Sequence, residues 1–267
     1  MWCLHDRVTP DYFGPAAPLV RALGRWLSQA DVVNRHSTRS TTSTGRKPVL
    51  LLRPPADPAA SGIVTGPPPA GRVSSVVIVG RIVPSKGQHL FVATFSDAFH
   101  DSDTNATLVG GALLGEADYE SGLRAGIDAG PARGRVELTG HVQSAAPHLA
   151  AADIVVHAST MPEPYGLVVA EAMAAGRPVI ATTSGGPAEM ITDGVDGLLV
   201  PCGDIAALAA ALQRLDTDPA LRARLGAAAL DTARRFASTP TTATARRWLR
   251  TIAARTLQPT FTDPEAG

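Results

Sequence analysis

Residues 153–183 read DIVVHASTMPEPYGLVVAEAMAAGRPVIATT. Two apolar, β-branched runs, DIVVHAS and PVIATT, flank a stretch of small and aliphatic residues, GLVVAEAMAAG, that reads as a helix. A strand, a helix and a second strand in this order form a crossover, the connection that parallel strands require. The strand runs are apolar at nearly every position, the pattern of a sheet covered on both faces. The stretch also places its acids unevenly. Glu163 sits on a loop stiffened by Pro162 and Pro164, whereas Glu171 lies one or two turns into a helix that otherwise looks buried.

The same alternation extends outward on both sides. From Arg72 onward the strand runs are SSVVIVG, ATLVGG, RVELTG, DIVVHAS, PVIATT and GLLVP. Between them KGQHLFVATFSDAFH, EADYESGLRAGIDAG, SAAPHLAAA, GLVVAEAMAAG and GPAEMITDG read as mostly helical. Asp204 caps the next helix, with Ile205, Leu208, Leu212 and Leu215 on one stripe, and Asp218-Pro219 opens another. A last helix is expected around residues 244–255. The fold class is therefore α/β, a doubly wound, Rossmann-like parallel sheet. It occupies 71–235, between an irregular segment, 1–70, and a C-terminal helix and tail, 236–267. Within 1–70, residues 15–29 suit a short helix, and ADVVN and VLLL suit short strands among loop-like Ser, Thr, Pro and Gly. That segment buries too little to stand alone.

Composition narrows the function classes. The 267 residues carry zero net formal charge, which gives no electrostatic argument for nucleic acid or an anionic membrane. Cys3 and Cys202 make neither a disulfide framework nor a metal-ligand spacing, which suits a reducing, cytoplasmic setting. No run approaches transmembrane length, and MWCLHDRV does not read as a signal peptide. Only Lys47 and Lys86 are lysines in an arginine-rich chain, so Lys86 stands out.

In open parallel sheets, ligands bind outside the carboxyl ends of the strands. The loops at that edge are Gly80-Arg81 to Lys86-Gly87, Gly110-Gly111, Gly140-His141-Val142, the Glu163 loop with Tyr165-Gly166-Leu167, and Ser184-Gly185-Gly186. Helix N-termini at this edge offer free N–H groups to a phosphate. Neither GxGxxG after a strand nor GxxxxGK[ST] is present, which disfavours a nicotinamide enzyme and a P-loop NTPase. Two cations, several glycines and two carboxylates on one edge point to a diphosphate with hydroxyl-rich groups on both sides, a sugar nucleotide. His141 and His157 read as loop and core histidines rather than catalytic ones, and Tyr165 as packing.

GRIVPSKG, ELTGHV and EPYGLVVAEAMAAGRPVIATTSGGPAEMI resemble the donor half of the retaining GT-B glycosyltransferases of family 4, the glycosyl transferases group 1. That family's pair of glutamates separated by seven residues falls on Glu163 and Glu171. The resemblance implies a hexosyltransferase acting with retention of configuration on a nucleotide-diphosphate sugar. By it, Arg81 and Lys86 hold the donor diphosphate together with the Gly166 and Leu167 N–H groups. Glu171 binds the ribose, the backbone at Val142 faces the base, and Glu163 contacts the transferred sugar. WCLHDRVTPDYFG and WLSQADVVNRHSTRSTT resemble the last third of the family's acceptor domain, and His5 matches the histidine that reaches the sugar there. The chain is thus expected to be a donor domain with a truncated acceptor domain, completed by a longer reading frame or by a second chain.

Two other readings stay open: a non-catalytic nucleotide-sugar-binding subunit or remnant, and a GT-B-shaped epimerase, which EPYGLVVAEA fits less well. No metal and no cofactor are expected. Asp101-Ser102-Asp103 spells a DxD, yet it precedes a strand and so falls on the edge away from the ligand. The expected partners are a nucleotide sugar and a glycan, lipid or small-molecule acceptor, with peripheral contact at the inner membrane face left open.

Overall fold

The computed structural model describes residues 2–4, 31–34, 49–52, 66–67, 71–112, 115–163 and 165–237. The chain divides into two compact units, Met1–Pro54 with Thr239–Gly267, and Pro55–Ser238. In the first, β1 (Trp2–Leu4), β2 (Asp31–Asn34) and β3 (Val49–Leu52) pair in parallel in that order. The register sets Leu4 opposite Val33, and Val33 opposite Leu51. The segment read as irregular therefore contributes a parallel sheet, with one more strand than its composition suggests. The helices expected over 15–29 and 244–255 lie outside the described residues, as does His5, which follows β1 directly.

The second unit alternates strand and helix as expected. Its elements are β4 (Ser75–Val79), α1 (Gln88–Ala98), β5 (Asn105–Val109), α2 (Ala117–Ala129), β6 (Val136–Leu138) and α3 (Ala146–Ala151). There follow β7 (Ile154–His157), α4 (Leu167–Ala174), β8 (Val179–Thr182), α5 (Pro187–Met190), β9 (Leu198–Val200), α6 (Ile205–Thr217) and α7 (Pro219–Ala237). The six strands are all parallel, in the order β6-β5-β4-β7-β8-β9. The chain winds outward from β4 in one direction, then returns to β4 and winds in the other. The switch point thus lies between β4 and β7, where an open α/β sheet leaves a crevice at its carboxyl edge.

Because the side-chain period of a strand is two, each buried strand feeds both faces. Val76 and Ile78 of β4, Ile154 and Val156 of β7, and Ile180 of β8 join Phe91, Phe95 and Phe99 of α1 and Leu208, Leu212 and Leu215 of α6. Val77, Val155, Val179 and Ala181 meet Leu149 of α3 and Val169, Ala172 and Met173 of α4 on the opposite face. The result is a three-layer α/β/α packing.

Local details refine the expectations. Asp204 caps α6 by accepting from Ala207 N at 2.8 Å, and Asp218 accepts from Leu221 N at 2.8 Å at the start of α7. Ile205 leaves the expected stripe, being exposed in the first turn of α6. GPAEMITDG is helical only over Pro187–Met190. Ile191 is extended, and Asp196 Oδ1 takes the Thr192 N–H at 2.7 Å, so the chain turns toward β9 instead of continuing the helix.

Candidate functional site

The carboxyl ends of β4 and β7 carry the loops that matter most. After β4, residues 80–87 form a turn closed by a 3₁₀ segment, Pro84–Lys86, before α1 begins. Gly87 has φ 69°, and a Cβ there would lie 2.0 Å from the Ala158 carbonyl oxygen. Only glycine lets this loop reach the end of β7 so closely. Thr160 N donates to Ser85 O at 2.9 Å and fixes the same approach from the other side.

The Glu163 loop is held from the β8 side. Glu163 bridges Gly185 in parallel, and Gly186 N donates to Glu163 O at 2.8 Å. A Cβ on Gly185 would sit 2.0 Å from that same oxygen. Thus the SGG turn after β8 docks directly on the backbone of Glu163, while Tyr165 is buried among α4-side residues. Gly166 caps α4, and the first-turn N–H groups of Leu167 and Val168 have no intrahelical partner. Leu167 is 52% exposed at that helix start.

The two loops bring three side chains together. Lys86 Nζ pairs with Glu163 Oε1, and His157 Nε2 lies 2.9 Å from Glu163 Oε2. All three side chains are largely shielded, 28% exposed for Lys86, 15% for Glu163 and 5% for His157. Burial, and then the nearby Lys86 ammonium, push His157 down to about 3, so its ring is neutral at neutral pH. A carboxylate accepts only, so the ring proton sits on Nε2 and is donated to Glu163. Nδ1 is then a buried acceptor with no partner among the described residues.

The other expected residues occupy the same edge without touching this cluster. Arg81 is exposed on the loop after β4, its carbonyl accepting from Gln88 Nε2 at 2.7 Å. Glu171 lies on the partly buried face of α4, and burial alone raises its carboxyl above the usual range. Val142 is half-buried in the loop after β6, against the α3-side core. Its neighbours tie the loops together, with Gly110 N donating to Gly140 O at 3.1 Å. The Asp101 and Asp103 carboxylates are exposed in the turn between α1 and β5, at the amino edge. Among the described residues no three His, Cys, Asp or Glu side chains gather as a metal site.

His157 is the site residue that pattern reading did not select. It reads as a core histidine because it closes an apolar strand, and it is buried as that reading expects. The available signal was its distance of six residues from Glu163 across a proline-stiffened loop, which favours a return contact. A groove of about 700 Å³ between α1 and α2, lined by Val92, Tyr119, Leu123 and Ala132, involves none of the expected residues.

Comparison with known proteins identifies the family of the sheet that carries these residues. The family described as glycosyl transferases group 1 matches residues 74–218. The lipopolysaccharide core biosynthesis glycosyltransferase LpsD of Rhizobium meliloti is 36% identical over 231 residues, 85% of this chain and 57% of that protein. The D-inositol 3-phosphate glycosyltransferase of Arthrobacter sp. is 39% identical over 168 residues, 60% of this chain and 38% of that protein. The chain thus spans about half the length of the curated relatives it matches. Among solved structures, Anabaena HepE in complex with UDP-glucose superimposes with a TM-score of 0.81 at 26% identity, covering 94% of this chain and 71% of that one. The C-terminal domain of the LpcC protein of Francisella tularensis gives 0.57 at 26% identity, over 66% and 89%. The six-stranded parallel sheet, its glycine turns and its glutamate loop all fall in a match that covers more than half of the sequence, and the chain belongs to the glycosyl transferases group 1 family.

Proposed function

We propose that the crevice between the β4 and β7 loops binds a nucleotide-diphosphate sugar, and that the protein transfers this sugar to an acceptor with retention of configuration. The observation that carries the reading is the meeting of Lys86 and Glu163 at the switch point of the sheet. A cation for phosphate and a carboxylate for sugar hydroxyls stand side by side where such sheets bind ligands. Arg81, Lys86 and the Gly166 and Leu167 N–H groups take the diphosphate. Glu171 takes the ribose, the backbone at Val142 faces the base, and Glu163 and His5 reach the sugar.

A carboxylate on the ribose suits Glu171, whose burial no donor offsets among the described residues. The arrangement meets diphosphate charge with arginine, lysine and helix N–H groups, so the reading includes no metal and no cofactor. HepE is solved with UDP-glucose and LpsD is named for lipopolysaccharide core biosynthesis, which supports a nucleotide sugar as donor and a glycan or lipid-linked acceptor at a membrane face.

Calorimetry with UDP, GDP, ADP and their sugar derivatives, with and without EDTA, tests the proposal. At least one nucleotide is expected to bind with an affinity that chelation does not change. Binding by none removes the donor site. Loss on chelation, rescued by magnesium and abolished by Asp103→Ala, removes the metal-free part. Binding without any transfer favours a nucleotide-sugar-binding subunit.

A further inference from the structure

The carboxyl end of β7 places an unusual residue in an apolar setting. His157 pairs in register with Ala181, and its neighbours along the strand, Val155 and Val156, are fully buried. A leucine would fill that position with no polar atom to satisfy. The histidine instead leaves Nδ1 buried and unmet while Nε2 reaches Glu163 Oε2 at 2.9 Å. An unmet buried acceptor is destabilising, so the residue is a poor choice for packing alone. Its side-chain-to-side-chain hydrogen bond among the described residues is with the Glu163 carboxylate.

We propose that His157 is the positioning residue for Glu163, its Nε2–H holding Oε2 so that Oε1, now on Lys86, is presented to a sugar hydroxyl once a bound diphosphate draws Lys86 away. The inference rests on the donor-binding reading above. Its physical logic is a division of the two carboxylate oxygens. The Glu163 backbone is fixed by Gly185 and Gly186, but its side chain is otherwise free to rotate about its torsions. Lys86 anchors one oxygen only while no phosphate competes for the ammonium. A diphosphate carries more charge than Glu163 and takes that cation. The neutral ring then remains as the only described anchor of the side chain, and it holds Glu163 without cancelling its charge. A protonated ring would pair with the carboxylate as an ion and weaken its hold on hydroxyls; burial keeps the ring neutral.

The test compares each nucleotide with its sugar derivative (UDP and UDP-glucose, GDP and GDP-mannose, ADP and ADP-glucose) by calorimetry on the full chain. The quantity read is the ratio of the two affinities in the parent, His157→Leu, His157→Gln and Glu163→Gln. In His157→Leu the bare nucleotide is expected to bind as in the parent, while the ratio falls on the order of tenfold, the loss of a hydrogen bond to a charged group. Glu163→Gln should show the same fall, and combining it with His157→Leu should add nothing. His157→Gln, which keeps an N–H near the Nε2 position, should restore most of the ratio.

A ratio that survives His157→Leu but falls in Glu163→Gln overturns the proposal, as does a ratio that Glu163→Gln leaves unchanged. Nitrogen-15 spectra of the parent histidines guard against a leucine variant that fails to fold. The Nε2–H tautomer, with a resonance that Glu163→Gln moves, supports the contact; an Nδ1–H tautomer or an imidazolium overturns it. If no nucleotide binds the parent, the donor reading fails by itself, and the spectra still decide whether His157 holds Glu163.

Discussion

The two edges of the six-stranded sheet use similar side chains for opposite ends. At the amino edge, polar groups tie elements together. Asp153 Oδ2 accepts from Ser74 N at 2.7 Å, Ser74 Oγ at 2.8 Å and Ser75 N at 3.0 Å, locking β7 beside β4. Asp216 accepts from Val73 N at 3.1 Å, Arg135 donates to Phe99 O at 2.7 Å, and Asp196 joins Thr192 N to Thr232 Oγ1. At the carboxyl edge the polar groups are held ready instead. Among the described residues Ser159 Oγ is buried without a partner, Glu171 is half-buried with no donor to offset the burial, and α4 begins with first-turn N–H groups that its own carbonyls do not take. Three donors on one oxygen of Asp153 tie β7 to β4 even though its other oxygen is buried without a partner among the described residues. A carboxylate that burial raises and no donor offsets, as at Glu171, costs stability.

Damage at the amino edge should therefore lower stability, and damage at the carboxyl edge should lower affinity. The largest effect is expected for Asp153→Ala, which takes a fully buried carboxylate away from three charge-assisted hydrogen bonds with the part-buried Ser74 and Ser75 donors. Denaturant titration should show a loss of about 3 kcal/mol, with nucleotide affinity of the folded fraction unchanged. A parallel fall in affinity would break the separation of the edges. Next come Lys86→Ala and Arg81→Ala. Each should weaken nucleoside-diphosphate binding by about 1.5–3 kcal/mol, roughly ten- to a hundredfold, with a much smaller change in melting temperature. Equal affinity in both variants would move the diphosphate elsewhere.

The smallest effect sharpens the comparison most, because its two readouts should move in opposite directions. Burial raises the Glu171 carboxyl in the folded protein above its value in the unfolded chain. The folded state is therefore penalised once the group is ionised in both states, and stability falls as pH rises through the folded value. Glu171→Gln should stabilise the protein near pH 7 by about 0.5 kcal/mol. The gain should vanish below the ordinary glutamate range, where both states are protonated. The same substitution should weaken nucleotide binding. Destabilisation at pH 7 would mean that Glu171 serves packing.

Much of this was legible along the chain. The runs of valine and isoleucine between helical stretches dictate a parallel sheet buried on both faces, and all six strands of the second unit fall where those runs are. The caps at Asp204 and Asp218 are local hydrogen bonds, set by neighbours in sequence, and local patterns find them. The edge that carries the site follows from the same pattern, since every loop after a strand must lie on one side of a parallel sheet. Less was legible where short elements depend on distant partners. Trp2–Leu4 is too brief for its pattern to mark a strand, and α5 stops after one turn because Asp196 takes the Thr192 N–H.

The order of residues along the chain dictates the class of fold, the edge that carries the loops and which acids and cations stand on it. Which of those side chains meet is settled by packing in three dimensions. Lys86 and Glu163 form a pair because β4 and β7 are neighbours in the order β6-β5-β4-β7-β8-β9, and two glycine turns, at Gly87 and Gly185, allow backbones to approach within the space of a missing Cβ. His157 changes from a core residue to a partner of Glu163 for the same reason. Strand order and close approach are set by the packing of the whole sheet, and no periodicity in the surrounding residues encodes them.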